Sequence, residues 1–191
     1  MLEQSEHSTP SPRRSFNIRS ATVTLTTLAV LIAAEVVLNL LEIHTSVLKI
    51  NLAFVPVVIA AYLYGAFGGM VIYGLGDLLG CIVHPVGAWY PPITLTCALM
   101  GGIFGLFLHR SRKIVPSVAA VILNQGIVSL FINSLWITLL MYKPDNGQFF
   151  AYYFTGILPM RTVNVLIMTA VQLVLTPLIL KAVDRIPFLT T

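Results

Sequence analysis

The sequence predicts an all-α polytopic membrane protein of six transmembrane helices, and three observations carry that prediction. Hydrophobic residues make up 57% of the 191 residues and charged residues only 9%, against the ~25% charged that an ordinary water-facing domain carries. Mean hydropathy is +0.90, so too few polar groups remain to coat a surface in water, and lipid is the solvent that fits. The apolar runs are long and apolar on every side, whereas barrel strands would alternate in segments of about 10 residues. Helices of about 20 residues suit them instead.

The elements follow in order. Residues 1–19, MLEQSEHSTPSPRRSFNIR, are polar and rich in Ser and Pro, the composition of a disordered tail. Arg13, Arg14 and Arg19 lead straight into a full-length span with no small-residue cleavage site close behind, so a signal peptide is not expected. Residues 20–191 then form one membrane domain, with spans expected at 21–41, 51–64, 66–83, 91–109, 115–141 and 156–181. The second and third are short and are joined by Tyr64-Gly65-Ala66-Phe67-Gly68-Gly69, a nearly apolar turn that suits a dip into the membrane.

The net charge of +4 does not mark a nucleic-acid surface, because the basic residues sit in short clusters at the ends of apolar runs. With the N-terminus inside, one side receives Arg13, Arg14, Arg19, Arg110, Arg112, Lys113, Lys181 and Arg185, and the other only Lys49 and Lys143, with Arg161 at the outer end of the sixth span. Positive-inside bias then places both termini in the cytoplasm of a plasma-membrane protein. The outer connections, residues 42–51, 84–92 and 142–156, are longer and aromatic, with Trp89, Tyr90, Phe149, Phe150, Tyr152, Tyr153 and Phe154. They read either as an interfacial aromatic belt or as a lid over an outward-facing pocket.

Ionisable groups inside a bilayer cost roughly 2.5–3.5 kcal/mol each at its centre, so each requires a reason. Glu35, Asp77 and Arg161 qualify, and all fall in the middle or outer half of their spans. Thr94 and Thr96 open the fourth span from the outside; Asn133 and Trp136, three apart, share a face, and Arg161 and Asn164 repeat that spacing. Such a cluster below aromatic loops is what a small-molecule site open to the exterior needs. The plainer reading of the asparagines is interhelical hydrogen bonding, and that of Asp77 with Arg161 a structural ion pair.

Other chemistry has no footing. No GxxxxGK[ST] loop, HExxH, GxSxG or paired-carboxylate arrangement occurs, so neither ATP hydrolysis nor catalysis by this chain is expected. Cys81 and Cys97 lack CxxC spacing and read as buried thiols, while His44 and His84 have no companions at ligand spacing. Neither metal nor cofactor is expected. Small residues form a second pattern: Ala29 and Ala33 are four apart, and glycines recur at 65, 68, 69, 74, 76, 80, 101, 102 and 105. These faces let helices approach closely, either within the bundle or against a partner membrane protein.

These segments carry a resemblance. Residues 48–109, with LKINLAFVPVVIAAYLYGAFGGMVIYGLGDLLG, WYPPITLT and ALMGGIFGLFLHR, together with Asn133-Ser134-Leu135-Trp136 and Leu158-Pro159-Met160-Arg161, resemble the folate family of substrate-binding (S) components of energy-coupling factor vitamin transporters, over nearly all of residues 21–181. The resemblance implies a six-helix bundle that captures folate from outside and associates with a transmembrane coupling subunit and two cytoplasmic ATPases. It implies that Ala29 and Ala33 contact the coupling subunit. It also implies that the substrate meets residues 45–49, including Lys49, and Tyr90, Thr94, Asn133, Trp136, Arg161 and Asn164. Trp136 and Tyr90 would stack on the rings, Asp77 would bond the pterin amidine edge, and Arg161 would pair with a glutamate-tail carboxylate. The chain departs from the family at Gly65-Ala66, where Gly-Pro is common, and at Pro91-Pro92, where Pro-Gly is. An S component for pantothenate or riboflavin, and a stand-alone transporter using Asp77 or Glu35 as a proton relay, are the alternatives.

Overall fold

Among the described residues of the computed structural model, five helices are long and apolar enough to cross a membrane. The structure describes residues 18–44, 49–83, 90–111, 113–141, 148–183 and 185. The expected tail lies outside these except for Ile18 and Arg19, as do 45–48, 84–89 and 142–147 of the aromatic connections. The helices are α1 (Ile18–Leu40), α2 (Phe54–Val83), α3 (Pro91–Leu108), α4 (Ile114–Met141) and α5 (Phe149–Val183). A two-residue antiparallel ladder, β1 (Ile43–His44) against β2 (Lys49–Ile50), pairs Ile43 with Ile50 and His44 with Lys49.

α2 holds both the second and the third expected span. It is broken at Gly65, whose φ of 71° and ψ of −157° are not helical, a conformation glycine adopts without the Cβ penalty. The break is a reversal. Eight residues of straight helix cover about 12 Å, yet a Cβ placed on Gly69 would lie 3.3 Å from that of Ala61. Residues 54–64 and 66–83 therefore lie against one another as a helical hairpin.

Contacts fix the directions of the other helices. Glu35 and Asn39 of α1 meet Gly76 and Gly80 of α2 in parallel register, while Gly69 meets Gly101, and Gly105 meets Gly65 and Ala66, in antiparallel register. His109 closes α3 beside Gly65, and the Arg110 N–H donates to the Tyr62 carbonyl at 3.3 Å. This is the Gly65 end of the bundle; the Tyr90 end is the other.

The most deeply buried stretch is residues 54–62, where Phe54, Val57, Val58, Ala60, Ala61 and Tyr62 are all buried. They pack with Ile72, Phe104, Leu108, Ala120, Val121 and Leu180, so the core surrounds the first arm of the hairpin. The periphery is apolar as well: Leu25 is 67% exposed, Leu106 74% and Leu166 64%. Side chains of this kind, facing outward from helices whose backbone bonds are satisfied internally, suit contact with lipid.

Two stretches are wound more loosely than an α-helix. Leu123–Asn133 of α4 and Tyr152–Ile157 of α5 are π-helical. Such winding is rare, mostly single turns, and often found at functional sites. The eleven residues in α4 make a long instance of it.

Candidate functional site

A cavity of about 210 Å³ opens between α1, α2, α3, α4 and α5. Most of the residues that line it are polar. α1 and the segment before α2 supply Asn39, Glu42 and Asn51, and the second arm of α2 supplies Tyr73 and Asp77. The π-helical part of α4 supplies Gln125, Ser129 and Asn133, each four residues from the next, and α5 supplies Arg161, Asn164 and Gln172.

Several of these groups are held by neighbours. Thr94 Oγ1 donates to Asp77 Oδ2 at 2.6 Å, so the first turn of α3 aims the carboxylate. Asn51 Nδ2 donates to Asn39 Oδ1 at 3.0 Å, and the Ala53 N–H donates to Asn51 Oδ1 at 2.6 Å, which pins the start of α2 to the end of α1. Asn124 Nδ2 donates to the Met100 carbonyl at 3.1 Å and ties α4 to α3. Tyr153 OH donates to the Phe131 carbonyl at 3.1 Å, a carbonyl within the π-helical stretch.

Other groups have room for a ligand. Asp77 and Arg161 line the same cavity, yet they do not form the ion pair with one another that the sequence left open. The buried oxygens of Asn133 (Oδ1) and Gln172 (Oε1) have no hydrogen-bond partner among the described residues. A pocket with two carboxylates, Glu42 and Asp77, one guanidinium and several amides can hold a polar or dipolar molecule by charge-assisted bonds.

Of the residues expected at the site, Asp77, Asn133, Arg161 and Asn164 line the cavity. Thr94 acts through Asp77. Tyr90 and Trp136 pack on one another at 6.4 Å between ring centres and 62° between planes, beside the cavity and not in its lining. The backbone of Lys49 sits on β2, and its side chain is outside what the structure describes. Ala29 and Ala33 are both exposed on α1. Glu35 is only 1% exposed and lies against Gly76, outside the cavity, with neither carboxyl oxygen hydrogen-bonded among the described residues.

Sequence reasoning missed Asn39, Glu42, Asn51, Tyr73, Gln125, Ser129 and Gln172. A signal existed for Gln125 and Gln172, since each is an amide deep inside an apolar span. No group of three or more His, Cys, Asp or Glu side chains is gathered for a metal among the described residues.

Comparison with known proteins gives concordant findings. The family described as ECF transporter, substrate-specific component, matches residues 23–180. The chain is 28% identical over 121 residues to a folate transporter FolT of Clostridium novyi (strain NT), covering 61% of this chain and 69% of that one. It is 29% identical over 147 residues to a folate transporter FolT of Leuconostoc mesenteroides, covering 76% and 77%. A solved structure, that of FolT bound with folic acid, superposes with a TM-score of 0.69 at 24% identity and covers 83% of this chain and 94% of that one. The helical bundle of that structure is the fold seen here.

Proposed function

Because the chain belongs to the ECF transporter, substrate-specific component family, we propose that it captures folate at the membrane surface and hands it to an ATP-driven transporter whose energy comes from partner subunits. The observation that carries the proposal is one cavity in which an acceptor, Asp77, and a bidentate donor, Arg161, stand without pairing to each other. Folate presents the complement, a ring system bearing N–H donors at one end and carboxylates at the other. Asp77 accepts from the exocyclic amine of the ring, and Arg161 takes a tail carboxylate in a two-bond fork. Both relatives named above are folate transporters, and the solved neighbour holds folic acid, which supports this ligand over pantothenate or riboflavin.

The cavity is smaller than the ~300–1,000 Å³ that drug-sized ligands fill. It accommodates a bicyclic ring with its linker, and the tail extends toward the Tyr90 end. That end carries the edge-to-face pair of Tyr90 and Trp136. Partners follow from the family: a transmembrane coupling subunit, which docks on the exposed Ala29 and Ala33 face of α1, and two ATPases on the cytoplasmic side. In this reading the Gly65 end, with Arg110, Lys113, Lys181 and Arg185, faces the cytoplasm.

Purification in detergent followed by mass spectrometry of the co-purifying small molecule tests the ligand. Folate is the expected species, and Arg161→Glu lowers its affinity by at least about 100-fold, a charged hydrogen bond of ~1.5–3 kcal/mol replaced by repulsion. Recovery of a different vitamin, or folate affinity unchanged in Arg161→Glu, overturns the assignment.

A further inference from the structure

The inner floor of the cavity holds a pair of amides to which the reading above gives no task. Gln172 lies eleven residues beyond Arg161 along α5, about 16 Å closer to the Gly65 end, and Gln125 lies eight residues on the same side of Asn133 in α4. They are 2% and 5% exposed, and both line the cavity together with Met100 and Met168. Gln172 Oε1 is buried with no hydrogen-bond partner among the described residues.

A buried acceptor without a partner is costly and rare in native structures. Between two methionines, a third methionine or a leucine would fill the same space at no such cost. The amide therefore suits a group that brings its own donor into the cavity. Its chemistry narrows what that is. A carboxamide offers one acceptor and two donors and no charge, so it does not offset the burial of a carboxylate tail. Its self-complement is a lactam: the amide oxygen accepts from a ring N–H while the amide nitrogen donates to the adjacent ring C=O.

We infer that Gln172, seconded by Gln125, is a specificity-determining residue that reads the lactam edge of a heterocycle entering ring first. The inference rests on the folate reading above, and adds to it the end of the ligand that goes deepest and the residue that recognises it. Asp77 keeps the exocyclic amine beside that edge, and Arg161 keeps the tail.

The test uses the full-length protein in detergent and two ligands, folate and pteroate, which share the ring and differ in the glutamate tail. Gln172→Met keeps the side-chain length and helix propensity while removing both polar atoms. It is expected to weaken folate and pteroate by the same factor, about 10–100-fold. It should leave the thermal midpoint of the ligand-free protein unchanged or raised, because an unpaired acceptor has gone. A merely structural glutamine would lower that midpoint. Loss of folate binding with pteroate binding spared would place Gln172 at the tail and overturn the inference, as would unaltered affinity for both. Should Gln172→Met fail to fold, Gln125→Met tests the same floor with the same expected equal loss. Native protein that binds neither compound sinks the folate reading and this inference with it. Native protein that binds both, with Gln172→Met unaffected, sinks the inference alone.

Discussion

The two sides of the cavity are built on opposite principles. On the α2–α3 side, glycines bring backbones into direct contact: a Cβ on Gly69 or Gly101 would meet the backbone of the facing helix, and a Cβ on Gly105 would meet that of Gly65 and Ala66. On the α4–α5 side the helices are π-wound, and Cβ atoms added to Gly126 or Gly156 would find nothing within 4 Å. The same residue type is sterically obligatory on one wall and unconstrained by neighbours on the other. The lesson is that one wall is a fixed template, aiming Asp77 through Thr94. The opposite wall supplies a row of amides from a helix that has room to adjust.

Crowding the fixed wall should have the largest effect. Gly101→Val forces a branched side chain into the backbone of Gly69 and Met70, and at least about 3 kcal/mol of stability should be lost, the upper part of the overpacking range. A fall in the thermal midpoint in detergent, with poor recovery of monodisperse protein, is the expected record. If Gly101→Val behaves like the native chain, the two walls do not differ as described.

A subtler probe is the contact of α1 with the same template. Gly76 faces the buried carboxyl of Glu35. Gly76→Ala should cost roughly 1–3 kcal/mol by overpacking, and Glu35→Ala in the same chain should recover part of that loss by making room. Denaturation of the two single variants and the double variant measures the coupling. Simple additivity would show that the two residues do not meet.

The smallest effect belongs to the open wall. Gly126→Ala adds a methyl group into unoccupied space within a helical stretch, and should raise stability by about 0.5–1 kcal/mol, the propensity difference alone. A loss of stability there would mean that the wall is packed after all.

Much of this was legible in the residues. Apolar runs located the long helices, although α5 begins at Phe149, inside the connection expected over 142–156, and the turn expected over Tyr64–Gly69 contains the reversal at Gly65. Asp77, Asn133, Arg161 and Asn164 stood out because polar groups in lipid need a reason. The amides were harder to see. Helices that are apolar on nearly every side have no polar face to orient them, so the sequence does not show whether Gln125 or Gln172 points at a neighbour, a cavity or lipid. The π winding of Leu123–Asn133 also escaped, since nothing in an apolar run distinguishes it from α-helix. Tyr90 and Trp136 were expected on the ligand because the family resemblance implies it. Their rings meet edge to face, and neither lines the cavity. Glu35 stood out by charge and turned out to lie against glycine.

The turn at Gly65 has a consequence for the whole path of the chain. Without it, a 30-residue α2 would be one straight rod, and every helix after residue 65 would run in the opposite direction. One glycine at φ 71° folds that rod into two antiparallel arms. α1 begins, and α5 finishes, at the same end of the bundle, so the sidedness of everything after residue 65 depends on a single left-handed torsion.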